Sequence, residues 1–215
     1  MSSHLKPLLN ILLSTLTLSL TTPVFSQSAA PIEAPTRKLG DNWVWVAKLN
    51  PRDSCSDGFQ NGKKISEAVI AVTDKDFVTE STHPYGLNTV KRTYAKDFSR
   101  TVAVLGKQVP SDVFSFPMVA GKKWDATLRG GSVVTTLSCE QGNFEKLKVG
   151  DTELDVVPIA CRGRWVNGGN GDVAEYKFWY SPLVANMVRS TVFTYWRGGV
   201  CVDQEFTLDS YKRAE

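Results

Sequence analysis

Large apolar side chains in this chain recur at every second position far more often than at every third or fourth, and a period of two belongs to β-strands. Trp43, Trp45 and Ala47 alternate with Val44, Val46 and Lys48, and Asn50-Pro51 stops the run. Residues 65–73 and 77–81 read as strands joined across Asp74-Lys75-Asp76, a separation that suits a tight hairpin. A longer strand is predicted over 87–98, a short one over 101–105 and a loop over 106–112. Trp124 opens a strand through residue 128, and Gly130-Gly131 turns it into 132–141, where Val133, Thr135, Leu137 and Cys139 share a face. Gly142-Asn143 carries the mark of a bulge. Residues 144–149 and 152–164 form a hairpin that turns at Gly150-Asp151 and is interrupted at Pro158, and residues 201–211 alternate as the last strand.

The stretch 174–197 organises the rest. Tyr176, Phe178 and Tyr180 alternate with Lys177 and Trp179, Ser181-Pro182 breaks the ladder, and residues 187–196 take it up again. Large side chains on both faces of both runs place this hairpin centrally in a sheet that is covered on both sides. Short strands spaced by turns, with no helical pattern between them, predict an all-β fold, an antiparallel sandwich or a partly closed barrel. An outer-membrane barrel fits less well, because Lys and Arg fall on most strands.

The N-terminal residues have a different pattern. His4 and Lys6 make a weakly basic start, residues 8–20 are mostly apolar, and Val24-Phe25-Ser26 suits a signal peptidase, so residues 1–26 read as a cleaved signal peptide. The apolar run is too short to span a membrane well, and the mature protein is expected in the periplasm or secreted, not membrane-spanning after cleavage. Residues 27–37 are small, polar and broken by two prolines, and read as a flexible leader; residues 38–215 are expected to form a single antiparallel β domain.

Net charge of +3 is too mild to imply a nucleic-acid partner. All four cysteines follow the signal, none forms a Cys-x-x-Cys, and His83 is the one histidine left after cleavage. Disulfides therefore fit better than a metal site, and no metal or cofactor is expected. The absence of any Asn-x-Ser or Asn-x-Thr favours a bacterial periplasm over a glycosylating pathway. Cys139 and Cys161 are equidistant from Gly150, so a hairpin turning there sets them face to face or one position out of register. Face to face, their Cα atoms would lie roughly 4.5 to 5.5 Å apart, within disulfide range. Cys55 is then left to join Cys201.

His83 sits in a turn beside Pro84, and the chain after residue 26 has neither Gly-x-Ser-x-Gly nor Ser-x-x-Lys, so no common serine-nucleophile architecture is signalled. Asp151, Glu153 and Asp155 alternate and form the one cluster suited to a carboxylate-dependent hydrolase; the competing reading is a solvated strand face with Leu154 and Val156 turned inward. Residues 167–172, NGGNGD, lack the spacing of a calcium loop and read as a surface turn. Between residues 84 and 130 Lys and Arg outnumber Asp, which would make a basic patch if those strands share a face. Most of the tryptophans are expected in the core. The candidates for facing a ligand are Arg92, Lys122, Lys123, Trp124 and Trp179.

Phe116-Pro117 with Gly121-Lys122-Lys123-Trp124, then residues 150–158 (GDTELDVVP), then Phe178-Trp179-Tyr180-Ser181-Pro182 followed by Val188-Arg189, resemble a loose group of exported bacterial β-rich proteins of unknown function. The resemblance covers about the last hundred residues. It implies a periplasmic setting and a β-sheet fold, and it assigns no residue a role. The leading reading is an exported, non-catalytic, disulfide-stabilised β-domain that binds a ligand or a cell-envelope component: a lipid, a glycan or an envelope protein. The alternatives are a carboxylate-dependent envelope hydrolase and a secreted enzyme inhibitor presenting residues 54–62.

Overall fold

The computed structural model describes residues 30–56, 58–83, 86–104, 106–130, 133–165, 173–196 and 199–215. Among them are thirteen strands and no helix: β1 (Asn42–Leu49), β2 (Lys64–Val72), β3 (Asp76–His83), β4 (Gly86–Ala95), β5 (Thr101–Val104), β6 (Lys107–Pro110), β7 (Lys123–Gly130), β8 (Val133–Gln141), β9 (Glu145–Val149), β10 (Thr152–Trp165), β11 (Val173–Ser181), β12 (Asn186–Trp196) and β13 (Gly199–Lys212). Eleven make one antiparallel sheet in the order β4-β3-β2-β1-β13-β12-β11-β10-β8-β7, with β9 alongside the first part of β10. Strands β5 and β6 form a separate hairpin. The fold is a single all-β domain whose sheet does not close into a barrel, since β4 and β7 remain its two ends.

The sheet is nevertheless strongly curled. Strands β3 and β11 are five strand spacings apart, about 24 Å across a flat sheet. Yet Phe77 of β3 reaches Tyr180 of β11 through three ring contacts: Phe77 to Phe98 at 5.0 Å, Phe98 to Phe116 at 5.1 Å and Phe116 to Tyr180 at 5.6 Å. From β1, the indole nitrogens of Trp43 and Trp45 donate to the carbonyls of Val184 and Met187, at 2.9 and 3.0 Å, beside the β11–β12 turn. The inward residues of β1, Trp43, Trp45 and Ala47, are buried and their neighbours less so, as the alternation predicts.

Strand β10 changes its buried face midway. Leu154 and Val156 are buried in its first part, and Val157, Ile159 and Cys161 in its second. The switch coincides with a change of partners. Thr152 to Val156 pair with β9, while Ile159 to Trp165 pair with β8. Gly142, Asn143 and Phe144 stand between these two ladders opposite only Val157 and Pro158, with Gly142 donating to the carbonyl of Pro158 at 2.8 Å. This extra residue is a bulge, at the place the glycine signalled.

Two disulfides join the fold, Cys139 to Cys161 and Cys55 to Cys201. Cys139 and Cys161 are direct cross-strand partners with Cα atoms 4.0 Å apart, closer than a typical pair. The 54–62 region is fastened to β13. The amides of Ser54 and Cys55 donate to the carbonyl of Cys201, and Asp53 accepts from the amides of Cys55 and Ser56.

Three expectations differ from what is observed. The loop read over 106–112 contains β6, a short strand paired with β5; four residues with one large apolar side chain, Val109, are too few to show alternation. The strand read over 87–98 ends at Ala95, because Phe98 takes a φ of 67° in a turn that drops its ring into the core. Residues 30–37, read as a flexible leader, lie against the sheet from Ile32 onward. Ile32 and Met118 exchange two backbone hydrogen bonds at 3.0 and 2.8 Å, and Arg37 is buried. The signal-peptide reading and the 167–172 turn fall outside the described residues, as does the side chain of His83.

Candidate functional site

Strands β8, β10, β11 and β12 lie side by side, and their registers set two rows of side chains across the outer face. One row runs Glu140, Ala160, Lys177, Thr191; the other runs Ser138, Arg162, Glu175, Phe193. Each of these residues alternates with one that points into the curl, such as Cys139, Cys161, Tyr176 and Phe178, which is why the sequence pattern of β11 reads large on both faces. At the far end of β11 the cover is complete, with Phe178 to Ser181 all buried, but at Glu175 and Lys177 the outer face opens. A shallow depression of about 480 Å³ lies over the two rows.

The charges around it are balanced. Arg162 pairs with Glu175 at 3.3 Å and Glu140 with Lys123 of β7 at 3.5 Å, both well exposed and so worth at most about 1 kcal/mol each. Along the same face, the Trp179 ring is flanked by the Lys177 ammonium at 4.4 Å and the Arg189 guanidinium at 5.2 Å, while its indole N–H donates to Glu145 at 2.7 Å. Arg189 is itself held by Glu205 at 2.8 Å. Phe193 meets Tyr195 edge to face at 4.8 Å, and Arg52 lies 5.3 Å over the Phe193 ring.

Gly163 brings β8 and β10 together beneath this face. A Cβ at that position would fall 1.7 Å from the carbonyl oxygen of Thr136, so only glycine permits the approach. The Cys139–Cys161 bridge, two pairs along, locks the same two strands from the inner side.

The structure gathers only some of the ligand-facing candidates. Lys123 and Trp179 border the outer face, Trp179 beneath the two cations. Lys122 donates to the carbonyls of Ser115 and Pro117, at 3.1 and 2.9 Å, and Trp124 donates to that of Asp112 at 3.1 Å, so both fasten the segment ahead of β7. Arg92 lies on β4 at the other end of the sheet, donating to Ser81 at 2.6 Å. Asp151, Glu153 and Asp155 are exposed and Leu154 and Val156 are buried, the arrangement of a solvated strand face. Asp155 pairs with Lys146 at 2.7 Å, which raises the lysine's pKa. Among the described residues no three His, Cys, Asp or Glu side chains gather as metal ligands. Arg162, Glu175, Lys177 and Phe193 were not singled out from sequence. The available signal was the pair of charged residues set between the aromatics of β11.

No protein-family model matches the chain, and neither does any curated protein. Among solved structures it is similar to a candidate exported protein with a YmcC-like fold from Bacteroides fragilis, with a TM-score of 0.50 and 14% identity over 86% of this chain and 100% of that one. A candidate lipoprotein from Parabacteroides distasonis aligns with a TM-score of 0.48 and 12% identity over 85% of this chain and 100% of that one. The hypothetical lipoprotein YmcC from Escherichia coli aligns with a TM-score of 0.35 and 11% identity over 88% and 94%. The first likeness is one of fold: this chain is a curled antiparallel sheet of the YmcC-like kind.

Proposed function

We propose that this protein is an exported, disulfide-stabilised binding domain whose outer face, across β8, β10, β11 and β12, holds a glycan of the cell envelope. The observation that carries this reading is the pair of side-chain rows under the depression. They present carboxylate, guanidinium, ammonium and hydroxyl groups around the Phe193 ring. Polar groups with fixed spacing orient a polyhydroxylated partner, and an aromatic ring offers an apolar surface to its C–H groups. Because Arg162 pairs with Glu175 and Lys123 with Glu140, the face carries little net charge and favours a neutral or zwitterionic polymer over a polyanion. A wide, shallow surface suits a polymer lying across strands. The disulfides and the fold shared with a candidate exported protein support an extracytoplasmic setting.

Calorimetric titration with neutral envelope oligosaccharides, chito-oligosaccharides among them, tests the reading. Phe193→Ala and Arg162→Ala should each weaken binding about tenfold, equivalent to ~1.4 kcal/mol, with both disulfides intact. Equal affinity of these variants and the native protein would remove the outer face from consideration.

A further inference from the structure

Arg37 lies within the curl, 8% exposed. Its guanidinium carbon is 4.2 Å from the Trp43 ring centroid, 4.8 Å from Phe98 and 5.9 Å from Phe77. Beyond these rings, Tyr94 stacks on Phe77 at 5.2 Å and Phe116 meets Phe98 at 5.1 Å. This is an aromatic cage around a positive charge.

Arg37 is a poor chemical match for the cage. A guanidinium carries five N–H donors in a fixed fork, and Nε and Nη1 find no acceptor among the described residues. Aromatic faces reward the charge and leave buried donors unmet, which is costly. Burial pushes the guanidinium's pKa down to about 10, and the Glu67 carboxylate is the largest influence in the other direction. The remaining charges nearby, Asp41 and Arg213, pair with each other at 3.3 Å. The site thus offers rings and one carboxylate's field, with no acceptors aligned to N–H groups. An alkylated ammonium, whose charge spreads over methyl groups and which has no N–H to satisfy, fits that environment better.

Arg37 is also delivered by a lightly held segment. Its hydrogen bonds to the rest of the fold are the two backbone bonds between Ile32 and Met118 and the donation from Arg213 to the carbonyl of Thr36 at 2.8 Å, and its apolar contacts are those of the partly buried Ile32 and Ala34. Their release leaves every strand pairing of the main sheet in place.

We propose that the Trp43, Phe77 and Phe98 cage is a binding site for a quaternary ammonium group, occupied here by the chain's own Arg37, and that the ligand and the N-terminal segment exchange in it. Tetramethylammonium chloride is the probe, with sodium chloride at equal ionic strength as control. Arg37→Ala should bind it saturably, read from the Trp43 indole N–H resonance and a rise in thermal midpoint, at least tenfold tighter than the native chain, in which Arg37 competes. Adding Glu67→Gln to Arg37→Ala should weaken binding several-fold. In the native chain, tetramethylammonium should speed hydrogen exchange at the amides of Ile32 and Met118, whereas sodium chloride should not; this readout decides the matter if Arg37→Ala does not fold. Unchanged exchange in the native chain together with no saturable effect on a folded Arg37→Ala would overturn the proposal. Occupation by methylguanidinium but not by tetramethylammonium would overturn it too.

Discussion

Tyr180 is 1% exposed, packed against Phe114 at 5.5 Å and Phe116 at 5.6 Å, and its hydroxyl has no partner among the described residues. Burial pushes its pKa up to about 12. In the unfolded chain a tyrosine ionises near 10, so Tyr180 contributes stability that is present below about pH 10 and lost between about 10 and 12. Arg37 has the opposite sign. Burial lowers its pKa from 12.5 to about 10, so above pH 10 the folded state gives up a proton that the unfolded chain keeps, and this contribution favours folding as pH rises. Tyr94 and Tyr176, both raised by burial, add to the falling side. Tyr180→Phe removes one falling contribution and leaves the rising one. Unfolding free energies from urea titrations at pH 10 to 12 should therefore decline less in this variant, by about 2 kcal/mol over the interval, and identical declines would refute the assignment. The two residues also differ in how legible they were. Tyr180 stands in a clean alternation and reads as core. Arg37 stands among prolines and polar residues, and the rings that receive it come from β1, β3 and the turn after β4, contacts that no local pattern announces.

The β8 to β10 segment shows how one element sets another. Thr152 pairs with Val149, and continuing that register would place Cys139 opposite Arg162. The bulge at Gly142, Asn143 and Phe144 absorbs one residue and sets Cys139 opposite Cys161. Deleting Asn143 should remove the one extra residue and let β8 run into β9 as a regular ladder with Cys139 still opposite Cys161, so nonreducing peptide maps of the variant should keep the Cys139–Cys161 peptide. Loss of that peptide from a folded variant would contradict a bulge of one residue. Gly163→Ala tests the close approach of the same strands. Its Cβ would meet backbone 1.7 Å away, so the variant should lose roughly 3 kcal/mol or fail to fold, whereas a loss under 1 kcal/mol would contradict the packing. From sequence, the turn at Gly150, the bulge and the two possible registers of the cysteines were all readable, since glycine and proline mark them. Choosing between the registers required counting residues across the bulge, and β6 was missed because its pairing with β5, not its composition, makes it a strand.

For the molecule as a whole, the aromatic hairpin does sit centrally, with β11 and β12 between β10 and β13. The all-β class followed from period and spacing. The order of strands did not, because β13 enters between β1 and β12 by pairing with a strand about 160 residues earlier, a choice that depends on tertiary packing. The outer-face rows follow from that order and from the cross-strand registers, so no stretch of sequence contains them. The ligand-facing candidates were chosen for residue type and contiguity; Arg92 and Lys123 consequently fell on opposite ends of the sheet. The most direct test of the proposed glycan face is a titration of isotope-labelled native protein with the same neutral oligosaccharides, followed by amide chemical shifts. Saturable shifts should concentrate at Ser138, Arg162, Glu175, Lys177, Thr191 and Phe193. Shifts confined to residues 54–62, or no saturable shifts at all, would contradict it.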